Sequence, residues 1–357
     1  MSARQTIYGG DLGRPSWVRG VAGHVIRRSA FWVALIDLVL LAVFAAMNPV
    51  LLSIQGARTI ALDSVEVLLL AIGSTLLLGA GKFDISIGAN LGLSSVVATS
   101  VMQHVGGVTT IAQYGVSHQV GTYHHLALVI PIGVAACLVS GLLMGTANGL
   151  LVVRLRVNSL IATLGMLSVA EGITFVLSGG VNLAAPTELQ SGFGLLSIAG
   201  IPAPVMVAAA AVVLLWFVVA KTSFGMRTLA MGSEPEAAVR AGIDVGRHQL
   251  VLFVIAGGLA GVAGLIDISR FAFTNAAAHL TDPLAAIAAA VIGGTALSGG
   301  IISSFGTVFG VLLTTILEVG LVLMGVSSYY QLVVIGVVLI VVVSIYETRR
   351  RRAEAGA

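Results

Sequence analysis

Apolar residues along this chain come in long runs rather than in the alternation of half-buried strands. A helix needs about 20 apolar residues to cross the hydrocarbon layer of a bilayer. Runs of that kind fall near residues 31–47, 64–80, 89–102, 126–153 and 158–178, and again near 202–220, 249–268, 284–298, 305–324 and 329–346. The third and eighth runs are short enough to be partly re-entrant. The pattern predicts an all-α integral membrane protein with ten transmembrane helices across residues 31–346, a basic segment over 1–30 before them and a basic tail over 347–357 after them. About 30 residues precede the first run, which is also too long for the core of a cleaved secretion signal, so it is expected to stay as the first helix. In the leader, Trp17, Val18, Val21 and Val25 recur at helical spacing beside Arg14, Arg19, Arg27 and Arg28. That is the pattern either of a helix lying on the membrane surface or of a disordered basic flank.

Composition agrees with the runs. Of 357 residues, 57% are hydrophobic and 9% charged, whereas an ordinary soluble domain carries about a quarter charged residues. The net charge of +3 does not imply a nucleic-acid partner, because the basic residues follow the membrane instead of gathering on one solvated face. With ten alternating helices, all of the 18 lysines and arginines except Arg58 and Arg270 fall on the side of the two termini. Cytoplasmic loops carry that excess, so both termini are expected in the cytoplasm.

Lipid gives apolar helices little reason to associate, so close approach through small residues must supply the attraction. Among 44 glycines, Gly141, Gly145 and Gly149 repeat every four residues, Gly257, Gly261 and Gly264 share a stripe, and Gly306 and Gly310 repeat again. These read as packing grooves. Two other segments, GAGKFDISIGAN at 79–90 and IGGTALSGGIISSFG at 292–306, interrupt the apolar pattern with glycine and polar residues. Backbone that leaves helical geometry at membrane depth must be sheltered by protein or line a wet cavity. Interrupted segments in the two halves of a transporter point to a substrate path; glycine-rich surface loops are the plainer explanation. Neither segment is a phosphate-binding P-loop, since the GK at Gly81 and Lys82 is followed by Phe83 and has no glycine five residues earlier. No ATP site is expected on this chain. Nor is a metal site: His104, His118, His124 and His125 cluster near the outer segment 103–125 without carboxylate or cysteine, and Cys137 lies alone in an apolar run.

The longest inner loop, 221–248, contains MGSEPEAAVRAGIDVGR. Ser233 and Glu236 have the spacing of a capping box, Pro235 suits a first turn, and Gly242 stands where a left-handed residue would end a helix. A helix over about 234–241 is expected, with Ala237, Ala238 and Ala241 forming a smooth exposed patch beside two acids. So short a helix is unstable alone in water and suits a shallow socket on another protein; packing back on its own membrane domain is the alternative.

EPEAAVRAGI resembles the cytoplasmic coupling loop of the permease subunits of bacterial ABC importers, and GKFDISIGANLGLSSVV resembles a segment of their ribose/xylose-type, monosaccharide branch. ANGLLVVRLRVNSLIATLGML and DPLAAIAAAVIGGTALSGGIISSFGTVFG match further segments of that branch in order, so the likeness runs from about 60 to 346. The resemblance implies a non-catalytic permease working as a pair, with ATP and Mg bound by separate ABC ATPase subunits and a sugar or polyol delivered by an extracytoplasmic binding protein. By position, Ser233, Glu236, Ala237, Ala238 and Gly242 would couple to the ATPase, while Lys82, Asp84, Ser86 and Asn90 would lie near the translocation path, with Glu171 and Glu318 as further candidates. The chain departs from the family where Lys82 and Phe83 replace glycine and isoleucine, Glu171 a basic residue and Glu318 an asparagine. Lys82 is expected to pair with Asp84, to anchor at the inner surface or to favour an anionic substrate.

Asp37, Glu66, Glu171, Asp267 and Glu318 all fall within expected spans. Carboxylates there face a wet cavity, a partner or the bundle interior. A proton relay through Glu171 or Glu318 would make the chain a proton-coupled secondary transporter, the rival reading; an assembly factor that transports nothing is a third.

Overall fold

The computed structural model describes residues 16–344 except 108, 114, 115, 121, 122 and, near the end, 328, 332, 335, 338, 339, 342 and 343; the side chains of 16–29 and 109–120 are likewise outside the description. The described residues are mainly helical, with short strands and links between the helices. α1 (Ser16–Met47) is followed by α2 (Ile54–Asp63), α3 (Val65–Gly79) and α4 (Ile87–Gly106), and then by an antiparallel hairpin of β1 (Thr109–Gln113) and β2 (Val116–Val120). After α5 (Leu126–Val153) and α6 (Ser159–Ser178) come the short β3 (Leu183–Ala184), α7 (Thr187–Leu189), β4 (Ser197–Ile198) and β5 (Ile201–Pro202). The second half holds α8 (Ala203–Lys221), α9 (Ser223–Ser233), α10 (Pro235–Arg240), α11 (Val245–Phe271), β6 (Phe273–Thr274), α12 (Asp282–Ile292) and α13 (Ser304–Leu323).

Among the described residues α1, α5, α6, α8, α11 and α13 are long and apolar enough to cross a membrane, and α2 with α3, bent by 41°, makes a seventh if the pair is one span. The other expected runs are altered for physical reasons. α4 carries Asn90, Ser94, Ser95, Thr99, Gln103 and His104, which dilute its hydropathy. α12 stops at Ile292 instead of 298, because Gly293 and Gly294 end it, Gly294 with φ +102°. The last run, 329–346, is described only in part, and the tail 347–357 lies outside the described residues, as does 1–15. From Ser16 the leader is helical and continues without a break into the first run.

α3 is the axle of the bundle: of its residues only Val67 is not buried. α11, α12, α13 and α8 pack around it. The glycine stripes serve helix contact. A Cβ on Gly141 would stand 2.5 Å from the Gly257 carbonyl oxygen, and one on Gly261 would stand 3.0 Å from that of Cys137, so α5 and α11 meet backbone to backbone. Gly264 approaches α4 in the same way, its Cβ position 2.8 Å from Leu91 O. Exposed large apolar side chains such as Phe31, Leu38, Leu143, Val176, Val213 and Leu214 cover the outside of the bundle, where lipid rather than water would receive them.

Candidate translocation and coupling site

The first interrupted segment is the link between α3 and α4, residues 80–86, and it is held from the side by α5 and α6. Ser86 donates to Asp84 Oδ1 through its backbone N–H at 2.9 Å and its hydroxyl at 2.6 Å. Asn148 of α5 donates its amide to Asp84 Oδ2 at 3.2 Å and to Ser86 Oγ at 2.7 Å. From α6, Ser159 Oγ accepts the Phe83 N–H and Thr163 Oγ1 the Ile85 N–H, both at 3.2 Å. Non-helical backbone N–H groups in this link are thus satisfied by α6 side chains and by Asp84 itself, while Asn148 of α5 braces the Asp84 and Ser86 side chains. One turn into α4, Asn90 donates to Gly141 O at 3.2 Å and accepts from Ser94.

Asp84, Ser86 and Asn90 are buried together. The expected Lys82–Asp84 pair is corrected: among the described residues the Asp84 oxygens are taken by Ser86 and Asn148. The carboxylate turns onto the Ser86 N–H and hydroxyl two residues ahead and onto the Asn148 amide, and these three donors take up both of its oxygens. Lys82 itself is half-buried. Asn148, Ser159 and Thr163 were missed. Asn148 sits between Gly145 and Gly149, where the glycine rhythm drew attention to packing; a lone Asn in so apolar a run was the available signal.

The second interrupted segment, 293–303, lies against the first. Gly300 donates its N–H to Gly79 O at 2.9 Å, and Thr75 and Thr307 share a hydrogen bond at 2.9 Å between α3 and α13. Within it, Thr295 Oγ1 accepts the Ser303 N–H at 3.2 Å, and Gly299 and Gly300 turn with φ +89° and +80°.

The two remaining path candidates stand apart from this network. Glu171 is half-buried on α6 and Glu318 is exposed on α13, a helix otherwise almost wholly covered. Asp37 is buried on α1, with neither carboxylate oxygen hydrogen-bonded among the described residues. At the end of the bundle opposite α10 lies an ionic cluster of which Glu66 and Asp267 were legible in the sequence, while Asp63, Asp282 and the pairing were not. Arg270 donates to both oxygens of Glu66 at 2.8 Å and to Asp63 at 2.6 Å. His279, in the link between α11 and α12, stands 2.8 Å from Asp282 through Nδ1 and 3.3 Å from Asp267 through Nε2, the latter an ion-pair contact rather than an aligned hydrogen bond.

Burial pulls the His279 imidazole toward the neutral form, but Asp267 and Asp282 outweigh it and push its pKa up to about 10. A folded-state value above that of the unfolded chain favours folding fully at pH below the unfolded value of about 6.5, and the benefit disappears as pH rises through the folded value. Unfolding temperature in detergent should therefore fall between about pH 6.5 and 10, and His279→Gln should flatten that slope. A slope unchanged by the substitution would refute the assignment.

α10 differs from its expected form in two ways. Ser233 does not cap it, because α9 runs through Ser233 and extended Glu234 takes the cap position with no side-chain cap bond. Ala238 is not part of an exposed patch: it is buried in the core cluster and anchors the helix. Glu236, Ala237, Val239, Arg240 and Ala241 are exposed, with Glu236 and Arg240 3.6 Å apart across one turn. Gly242 ends the helix at φ +80°, donating to Val239 O, while Ile243 donates to Ala238 O.

A family model described as branched-chain amino acid transport system / permease component matches residues 56–343. The ribose import permease protein RbsC of Escherichia coli (strain K12) is 31% identical over 310 residues, covering 86% of this chain and 90% of that protein. RbsC of Bacillus subtilis (strain 168) is 36% identical over 278 residues, 77% of this chain and 79% of its own. The L-arabinose ABC transporter permease protein AraH of Azospirillum brasilense is 28% identical over 341 residues, 96% and 94% of the two chains. No solved structure matches. A match that takes in every interrupted segment, the α10 loop and the ionic cluster alike leaves one assignment: the chain belongs to the permease-component family of the branched-chain amino acid transport system.

Proposed function

We propose that the chain is the membrane subunit of an ATP-driven importer that passes a monosaccharide or related polyol, delivered by an extracytoplasmic binding protein, across the bacterial inner membrane. It works as a pair of permease copies with ABC subunits that bind ATP and Mg beneath them, and it catalyses nothing itself. Ten membrane helices over 31–346 and cytoplasmic termini complete the reading, with 1–30 and 347–357 as cytoplasmic segments and 221–248 as the coupling loop. The family description speaks of amino acids, but relatives over most of the chain are named for ribose and arabinose; that weighs for a sugar and against a proton-coupled transporter.

The observation that carries the ATP-driven reading is α10. A helix of 6 residues, ended by a left-handed glycine and pinned by one buried alanine, holds Glu236, Ala237, Val239 and Arg240 outward at the mouth of the bundle. Val239 is 59% exposed, an apolar knob suited to a socket on the ATPase. In this reading Glu236, Ala237 and Val239 meet the ATPase, Gly242 shapes the helix end, and Ala238 holds it in place. Lys82, Asp84, Ser86 and Asn90 border the path in each copy. Exposed Glu318 and half-buried Glu171 face wet space or the second copy, since a carboxylate facing lipid is costly.

The test is uptake into proteoliposomes holding the chain, its ATPase and the binding protein loaded with labelled ribose or arabinose. Uptake should require ATP inside and survive collapse of ion gradients; gradient-driven uptake without ATPase would overturn the reading. Val239→Asp should weaken ATPase association by about tenfold or more, because a carboxylate buried in a socket without a partner costs upward of ~1.4 kcal/mol. Pull-down of the ATPase measures it, and undiminished capture would place the contact elsewhere.

A further inference from the structure

Gly232, in the last turn of α9 and three residues before α10 begins, lies where three backbones meet with no side chain between them. A Cβ there would fall well inside contact with Gly79 O and stand 2.5 Å from Gly300 N. Across the same point, a Cβ on Gly299 would stand 2.6 Å from Gly232 O and 2.8 Å from its Cα, and one on Gly300 would run into the Ser233 hydroxyl. Gly79 ends α3 at the first interrupted segment, Gly299 and Gly300 belong to the second, and the Gly300–Gly79 hydrogen bond of 2.9 Å ties the two. Ile302 covers the remaining face of Gly79.

We propose that Gly232 is the positioning residue through which α10 drives both interrupted segments at once. This rests on the ATP-driven reading above and adds the route by which force leaves α10. α9 and α10 are separated only by Glu234, whose N–H is still held by Ala230 O at 3.1 Å, so the pair moves as one piece. Backbone touching backbone has no rotamer to absorb a displacement, and close-packed contacts pass strain on. A shift of α10 therefore presses on the end of α3 and on the 299–300 turn together. The turn's two left-handed glycines give it the backbone freedom of a hinge. Met231, buried in the core cluster, and Thr228, buried and hydrogen-bonded to His248 Nε2 at 2.8 Å, keep the last turn of α9 from sliding out of the wedge.

The experiment is uptake per ATP hydrolysed, measured in proteoliposomes with the complete importer and labelled ribose or arabinose. Gly232→Ala inserts a methyl group into the junction and should lower that ratio about tenfold while ATP hydrolysis stays within about twofold. Ile302→Ala adds no clash and only loosens the seam over Gly79, so it serves where Gly232→Ala fails to fold; it should lower the ratio about threefold. Unchanged ratios in both variants, or uptake and hydrolysis falling in step, would overturn the junction. Wild type that shows no ATP-dependent uptake would instead sink the importer reading, so the two failures are distinguishable.

Discussion

Arg270→Met is expected to lower the stability of the folded chain by about 3–5 kcal/mol, the cost of removing one partner from a buried ion pair and leaving the other charge alone. The Arg270 side chain is 11% exposed and Glu66 8%, and the guanidinium meets both Glu66 oxygens. Asp63, at 39%, is open enough to solvent that its share is small. The pair joins the first turn of α3, the axle helix itself, to the end of α11 across 204 residues of sequence, so its loss loosens the hold of α11 on the axle. Replacing both partners, as in Arg270→Met with Glu66→Met, should recover most of the loss, because a buried pair and an apolar pair of similar volume are close in free energy. Thermal unfolding of the purified protein in detergent gives both values. A double variant as unstable as the single one would show that the charges do more than satisfy each other.

Glu66 and Arg270 each stand out in the sequence as charges near a membrane boundary, but nothing in either local pattern names a partner so far along the chain. Apolar runs, glycine stripes and interrupted segments are local signals: among the described residues six runs reappear as candidate spans, or seven if α2 and α3 are one, Gly141 and Gly257 touch, and the interrupted segments leave helical geometry over 80–86 and 293–303. Gly242 adopts the left-handed conformation its position demanded. Readings failed where a local rule competed with a longer contact. The capping spacing at Ser233 lost to the continuation of α9, and the alanine patch lost Ala238 to the core. Asn148 was hidden because hydrogen bonds spanning 64 and 62 residues, to Asp84 and Ser86, give no local periodicity. The substrate leaves still less trace: the buried network at 84–90 has donors and acceptors but is largely occupied with itself.

That self-satisfaction sets up the sharpest separation between holding the fold and handling the solute. Asp84→Ala is expected to cost several kcal/mol, because the Ser86 N–H, the Ser86 hydroxyl and the Asn148 amide lose their acceptor together and each buried unsatisfied donor costs about 1–3 kcal/mol. Asp84→Asn should be milder. Its carbonyl oxygen can keep the two Ser86 donors, and its amide would meet the Asn148 amide donor to donor only if Asn148 kept its present orientation. Asn148 Oδ1 has no partner among the described residues, so rotating that amide by half a turn presents an acceptor to the introduced amide, but it also leaves the Asn148 N–H groups unpaired where that oxygen stood, at about 1–3 kcal/mol, and the single Ser86 hydroxyl proton then serves one of the two oxygens, not both. Thermal unfolding should thus place Asp84→Asn between wild type and Asp84→Ala. Uptake then reads the other role: if Asp84→Asn folds normally and imports sugar at the wild-type rate, the carboxylate is a brace for the interrupted segment; if it folds normally and import collapses, the charge itself meets the solute or the moving backbone. Equal destabilisation by both substitutions would mean that Asn148 cannot turn, and that the network is held by α5 more rigidly than its unpaired oxygen suggests.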